Sequence, residues 1–99
     1  MQIRDKEWKI VRRRLKGGKW GEAVRNEDGS GSIVLLPRKL YPDTWDEVDT
    51  LVHEVIHAAL WDLDEEVVEA TAIAIVDALK HTNIVQVRPA PKRSKRRKP

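Results

Sequence analysis

His53-Glu54-Val55-Ile56-His57 constrains this chain more than any other segment, because it lies where apolar residues recur at helical spacing. At 100° per residue Val48, Leu51, Val52, Val55, Ile56 and Ala59 gather on one face, and His53 and His57 stand together on its flank. Imidazoles at i and i+4 lie one turn apart on the same side of a helix. Both Nε2 atoms can then reach one Zn²⁺ at about 2.0–2.1 Å. Glu54 between them is placed beside such a metal and not on it, where a carboxylate can serve as general base and then general acid. The competing reading of the same pattern is a pair of satisfied histidines on an ordinary core helix.

A catalytic zinc needs three protein ligands and an open fourth position. One known continuation of the motif would place Gly at 60 and His at 63, and this chain has Leu60 and Leu63 there. The acids that follow are Asp62, Asp64, Glu65, Glu66 and Glu69, ahead of an apolar run over 70–79. Asp62 or Asp64 suits an N-cap, and an acidic first turn suits the helix dipole, so a second helix is expected over 65–80. Glu65 and Glu66 are explained by that first turn. Glu69 has Ala72, Ile73 and Val76 as its helical neighbours, and a carboxylate on a buried stripe is costly unless paired. Glu69 is therefore the preferred third ligand, with Glu66, Asp62 and Asp64 as competitors and a structural ion pair as the plain alternative.

Several stretches carry a resemblance. Trp20-Gly21, Ser32-Ile33-Val34-Leu35-Leu36-Pro37, Asp49-Thr50-Leu51-Val52-His53-Glu54-Val55-Ile56-His57-Ala58 and Trp61-Asp62-Leu63-Asp64-Glu65-Glu66-Val67-Val68-Glu69 resemble the small zinc peptidases encoded by tailed bacteriophages and prophages. More distantly the chain is similar to the minimal zincins of the SprT-like and ImmA/IrrE-like groups. In the latter the third ligand is a Glu followed by a small residue, and Glu69-Ala70-Thr71-Ala72-Ile73-Ala74 is compatible with that. The thermolysin-like pattern would want Asp at 73, where this chain has Ile73. The resemblance covers residues 1–80. It implies a minimal zincin-like α+β fold, a small antiparallel sheet packed on an active helix over 45–60 and a ligand helix over 65–80. It also implies Zn²⁺ held by His53, His57 and Glu69, and hydrolysis of a peptide or protein substrate by a zinc-activated water with Glu54 as base and acid. Tyr41 and His81 are the candidates, by residue type, for stabilising the oxyanion.

The N-terminal third reads as strands over 2–4, 8–15, 19–24 and 32–36, separated by turns at Gly17-Gly18 and over 26–31. Asp5, the basic Arg12-Arg13-Arg14 and the Gly pair would also suit a helix over 8–15, and the resemblance favours the strand. The segment 32–36 is apolar on both sides, as expected of an edge that a substrate strand could join or of a buried strand. The four Trp residues are expected in core and rim packing, since the chain has no Phe.

Ninety-nine residues, 40% of them hydrophobic, suffice for one modest core that a bound metal would stiffen. Without Cys there can be neither disulfides nor a thiolate metal site. No apolar run is long enough for a membrane span, and Met1-Gln2-Ile3-Arg4-Asp5 is unlike a signal peptide, so a soluble cytoplasmic protein is expected, in the host cytoplasm if phage-encoded. Lysines and arginines are unevenly spread. Residues 1–87, the expected domain, carry a net charge of about −4, and the tail over 88–99 carries about +7 with no acid. A Pro-rich basic tail of this kind is expected to be disordered. It could contact nucleic-acid phosphates or serve only for solubility. The alternative to a peptidase is thus a metal-stabilised binding or regulatory module of phage origin that cleaves little and touches nucleic acid through its tail. Glu54 favours the enzyme, because a purely structural zinc would not need it.

Overall fold

Four strands near the N-terminus and two amphipathic helices after them assemble into an α+β domain in the computed structural model, which describes residues 1–85. The elements are β1 (Gln2–Ile3), β2 (Lys6–Arg12), β3 (Gly21–Arg25), β4 (Gly31–Leu35), α1 (Thr44–Ala59) and α2 (Glu65–Thr82). Short 3-10 turns lie at Lys16–Gly18 and Arg38–Leu40. The basic tail over 88–99 lies outside the described residues, and among those described no helix is long and apolar enough to cross a membrane.

The strands form one sheet in the order β1-β2-β4-β3. β1 and β2 are joined through Arg4 and Asp5, both left-handed, as a two-residue hairpin turn with matching twist requires. β3 and β4 form the second hairpin, closed by Asn26 N–H donating to the Ser30 carbonyl at 2.7 Å and by Asp28, whose Oδ1 accepts from Ser30 N at 2.9 Å. Between the hairpins β2 runs parallel to β4, with Trp8 opposite Gly31 and Arg12 opposite Leu35. The sheet is therefore mixed, which corrects the expected antiparallel arrangement. The reason lies in β4: Ile33, Val34 and Leu35 are all buried, so the strand needs neighbours on both edges and cover on both faces. A simple meander would have left it at the rim. Charged, less buried β3 takes the edge instead.

Strand β2 stops at Arg12, short of the expected residue 15, because the chain must cross from β2 to β3 past β4. Gly17 and Gly18, with φ of 76° and 72°, allow the tight turn on that crossing. Trp8, Ile3, Ile33 and Leu35 form the main core, with Ala23, Leu51, Val55 and Ala58 packed against it. Ile56, Val68 and Ala72 form a second cluster where α2 lies on α1.

Helix α1 begins with a capping box. The Asp43 carboxylate accepts from Trp45 N at 2.6 Å and Asp46 N at 3.2 Å, while Asp46 Oδ2 accepts from Asp43 N at 3.2 Å. At its other end Arg4 Nη1 donates to the Ala59 carbonyl at 3.1 Å, tying the first hairpin to the helix terminus. Asp64 occupies the N-cap position of α2 without a side-chain cap bond, and left-handed Asn83 ends the helix.

Tyr41 fixes the start of β3. Its hydroxyl donates to the Trp20 carbonyl at 2.6 Å and accepts from Leu36 N at 3.0 Å, and its ring meets Trp20 edge-on with centroids 6.0 Å apart. Burial raises the phenol above its ordinary pKa, so it stays a donor. Tyr41→Phe should lower the unfolding free energy in urea by about 1–3 kcal/mol, because it strands one buried N–H and one carbonyl.

Candidate metal and active site

His53 and His57 project from α1 over a groove of about 560 Å³ that runs along β3. Their rings stand 4.9 Å apart, inclined at 65°, and each turns Nε2 toward the same carboxylate. That carboxylate is Glu65. His53 Nε2 lies 2.9 Å from Glu65 Oε2, and His57 Nε2 lies 2.8 Å from Glu65 Oε1. Among the described residues, these three are the group whose ligand atoms converge, all within 4.8 Å of one another.

The structure brings Glu65 to the histidines, where Glu69 was the expected third ligand. The buried stripe of α2 is Val68, Ala72 and Val76, while Ile73 and Glu69 are exposed. Glu69 lies one position off that stripe, so burial does not demand a partner for it. Asp62, Asp64 and Glu66 are exposed too and stand outside the converging group. In sequence Glu65 carries no sign of a ligand, because an acidic first turn already has an explanation in the helix dipole. Its side chain is indeed 63% exposed. The decisive fact is tertiary: five loop residues fold α2 back on α1, and that brings its first turn level with the last turn of α1.

Two imidazole nitrogens and a carboxylate oxygen are the donor set that zinc takes in open three-ligand sites. Tetrahedral coordination with bonds of about 2.0–2.1 Å sets ligand atoms roughly 3.3 Å apart. Each imidazole approaches a different oxygen of the Glu65 carboxylate, at 2.9 and 2.8 Å, and one donor atom from each of the three residues lies within 4.8 Å of the others, so small side-chain rotations bring all three to one ion. His53, His57 and Glu65 therefore fit a metal.

Glu54 sits on the sheet side of the histidines. It is 8% exposed, lines the groove, and makes no hydrogen bond among the described residues. Burial raises its carboxyl above the usual carboxylate range; His53 and His57, when charged, pull it back, and Glu65 and Glu22 push the same way as burial. It is held there by the close approach of β3. A Cβ on Gly21 would lie 2.5 Å from Thr50 Cγ2 and 3.1 Å from Glu54 Cγ, so only glycine lets the strand pass.

The edge beside Glu54 is β3, not the segment 32–36. That segment is bonded on both sides, to β2 and to β3, which removes it as a docking edge. The Asn26–Ser30 bond sets the alternation of the hairpin, turning the N–H and C=O groups of Glu22 and Val24 toward β4. Those of Gly21, Ala23 and Arg25 point outward along the groove. Neither oxyanion candidate holds its place. The Tyr41 hydroxyl is engaged by Trp20 and Leu36, and His81 lies sixteen residues along α2 from Glu65, about 24 Å away at 1.5 Å per residue. Of the four Trp residues Trp8 is core, whereas Trp20 and Trp61 are exposed.

Comparison of the chain with models of protein families, with curated proteins and with solved structures finds no match.

Two outcomes follow from this geometry. Glu65→Ala should weaken Zn²⁺ affinity by at least the roughly 10–100-fold that loss of an outer-shell partner costs, and Glu69→Ala should leave it nearly unchanged, as read by competition with a chromogenic chelator. Gly21→Ala should cost about 1–3 kcal/mol in urea denaturation through overpacking. Adding Thr50→Ser should recover most of that loss, since it removes Cγ2 and keeps the hydroxyl that donates to the Asp46 carbonyl.

Proposed function

We propose that the chain is a zinc-dependent peptidase of minimal zincin type, in which His53, His57 and Glu65 hold the metal and Glu54 handles the proton. The observation that carries this reading is Glu54 itself. A carboxylate buried without a hydrogen-bond partner is costly to folding. This one lies beside the metal-ligand group and opens onto the groove, where a base would be useful. A site serving only to brace two helices has no use for it.

Bound zinc would supply Lewis acidity, lowering the pKa of water to near 7 and polarising a carbonyl. The chain's own groups supply the rest. Glu54 takes the proton from the attacking water on a carboxylate oxygen and returns it to the departing amine nitrogen, so one residue is base in the first half and acid in the second. The outward N–H and C=O groups of Gly21, Ala23 and Arg25 offer an extended peptide a strand to pair with, which holds its backbone along the groove. Peptide is the substrate class supported here because a free strand edge recognises backbone.

Glu54→Gln keeps the size of the side chain and removes the base. It should leave zinc stoichiometry unchanged while hydrolysis of an unfolded protein falls by a factor of about 10² or more. Equal activity in the variant and the parent, both zinc-loaded, would reject Glu54 as the base.

A further inference from the structure

We propose that Trp61 and Leu63 form a preorganised apolar subsite that selects peptides with an aromatic or large aliphatic side chain next to the cleaved bond. The inference rests on the peptidase reading and adds the substrate class to it.

Trp61 and Leu63 are the large apolar side chains lining the groove, and both come from the loop joining the two helices that carry the ligands. Trp61 is 40% exposed, and its indole N–H meets no acceptor among the described residues. Other large apolar residues of the chain are as exposed; Trp61 differs in lining the groove beside the histidines, where its indole presents amphipathic surface to a ligand. Its face is steadied by the Arg25 guanidinium, 5.6 Å from the ring centroid. Leu63 packs against the Ile56–Val68–Ala72 cluster, and the loop between is pinned by Leu60 N–H donating to the Ile56 carbonyl at 2.8 Å and Leu63 N–H donating to the Leu60 carbonyl at 3.0 Å. The platform is thus built before any ligand arrives, which spares the ordering cost of binding.

The strand edge determines what meets it. A peptide paired with β3 presents alternate side chains to opposite sides. Those turned toward α1 and its following loop pass the histidines and then Trp61, while the other end of the groove offers the charged Lys19 and Glu22. A side chain beside the reacting carbonyl therefore meets an indole face and a leucine, with Ala23 beneath. Large apolar groups gain there by leaving water.

The test uses the full zinc-loaded chain on two short peptides that differ only in Phe or Ala at one position flanking the cut, with cleavage sites first mapped by mass spectrometry in heat-denatured casein. Expected are cuts enriched next to Phe, Tyr, Trp or Leu. Trp61→Ala should lower kcat/KM about 10-fold or more for the Phe peptide and by a clearly smaller factor for the Ala peptide, and Trp61→Phe should restore the preference. A second readout needs no turnover: in the Glu54→Gln background calorimetry should show the Phe peptide binding more tightly than the Ala peptide, with the difference lost on adding Trp61→Ala. Cleavage without apolar enrichment, or an equal loss for both peptides, overturns the subsite and leaves the peptidase reading standing. A zinc-loaded protein that neither cleaves nor binds either peptide overturns both.

Discussion

Gly21 has no side chain, and the face of α1 that carries Thr50 and Glu54 rests where one would be. That contact sets the distance between α1 and the sheet edge. A few tenths of an ångström more would move Glu54 away from the strand on which a substrate backbone is proposed to lie. Tyr41 supports the same contact from behind by holding the Trp20 carbonyl and the Leu36 amide together at the ends of β3 and β4.

Three polar residues, Glu47, Thr50 and Glu54, are buried on the sheet side of α1, and the chain treats each differently. Glu47 is neutralised by Arg12 and by Arg38, whose Nε lies 3.1 Å away. Thr50 turns its hydroxyl back to the Asp46 carbonyl of its own helix at 2.8 Å. Glu54 has no such protein hydrogen bond among the described residues. Of the three it is the one that lines the groove, beside His53 and His57.

The two helices were legible from their apolar spacing, and the second also from its acidic first turn; the ends of α1 fall within a residue of the expected 45–60. The strand β2 was legible only with help from the resemblance, since Asp5 and the paired glycines suit a helix as well. Sheet order was not legible: whether β4 lies between β2 and β3 depends on a crossing over 13–20 that leaves no periodic mark. Its clue was there in Ile33-Val34-Leu35, apolar on both faces and so better suited to the centre than to an edge. At the site His53, His57 and Glu54 follow from spacing within one helix. Glu65 does not, because the phase of α2 against α1 is set by Val68, Ala72 and Val76, one position away from the stripe assumed for Glu69.

Loop length carries chemical information here. The buried stripe sets the rotation of α2, and the five residues over 60–64 set its position along α1; Glu65 meets the imidazoles where these two settings coincide. One residue along a helix means about 100° of rotation and 1.5 Å of rise, so a neighbouring acid such as Glu66 faces elsewhere. A single insertion or deletion in this surface loop could dismantle the metal-ligand group while leaving every ligand unchanged. The spacing between the His53–His57 segment and the next helix is thus as much a part of the site as the residues that compose it.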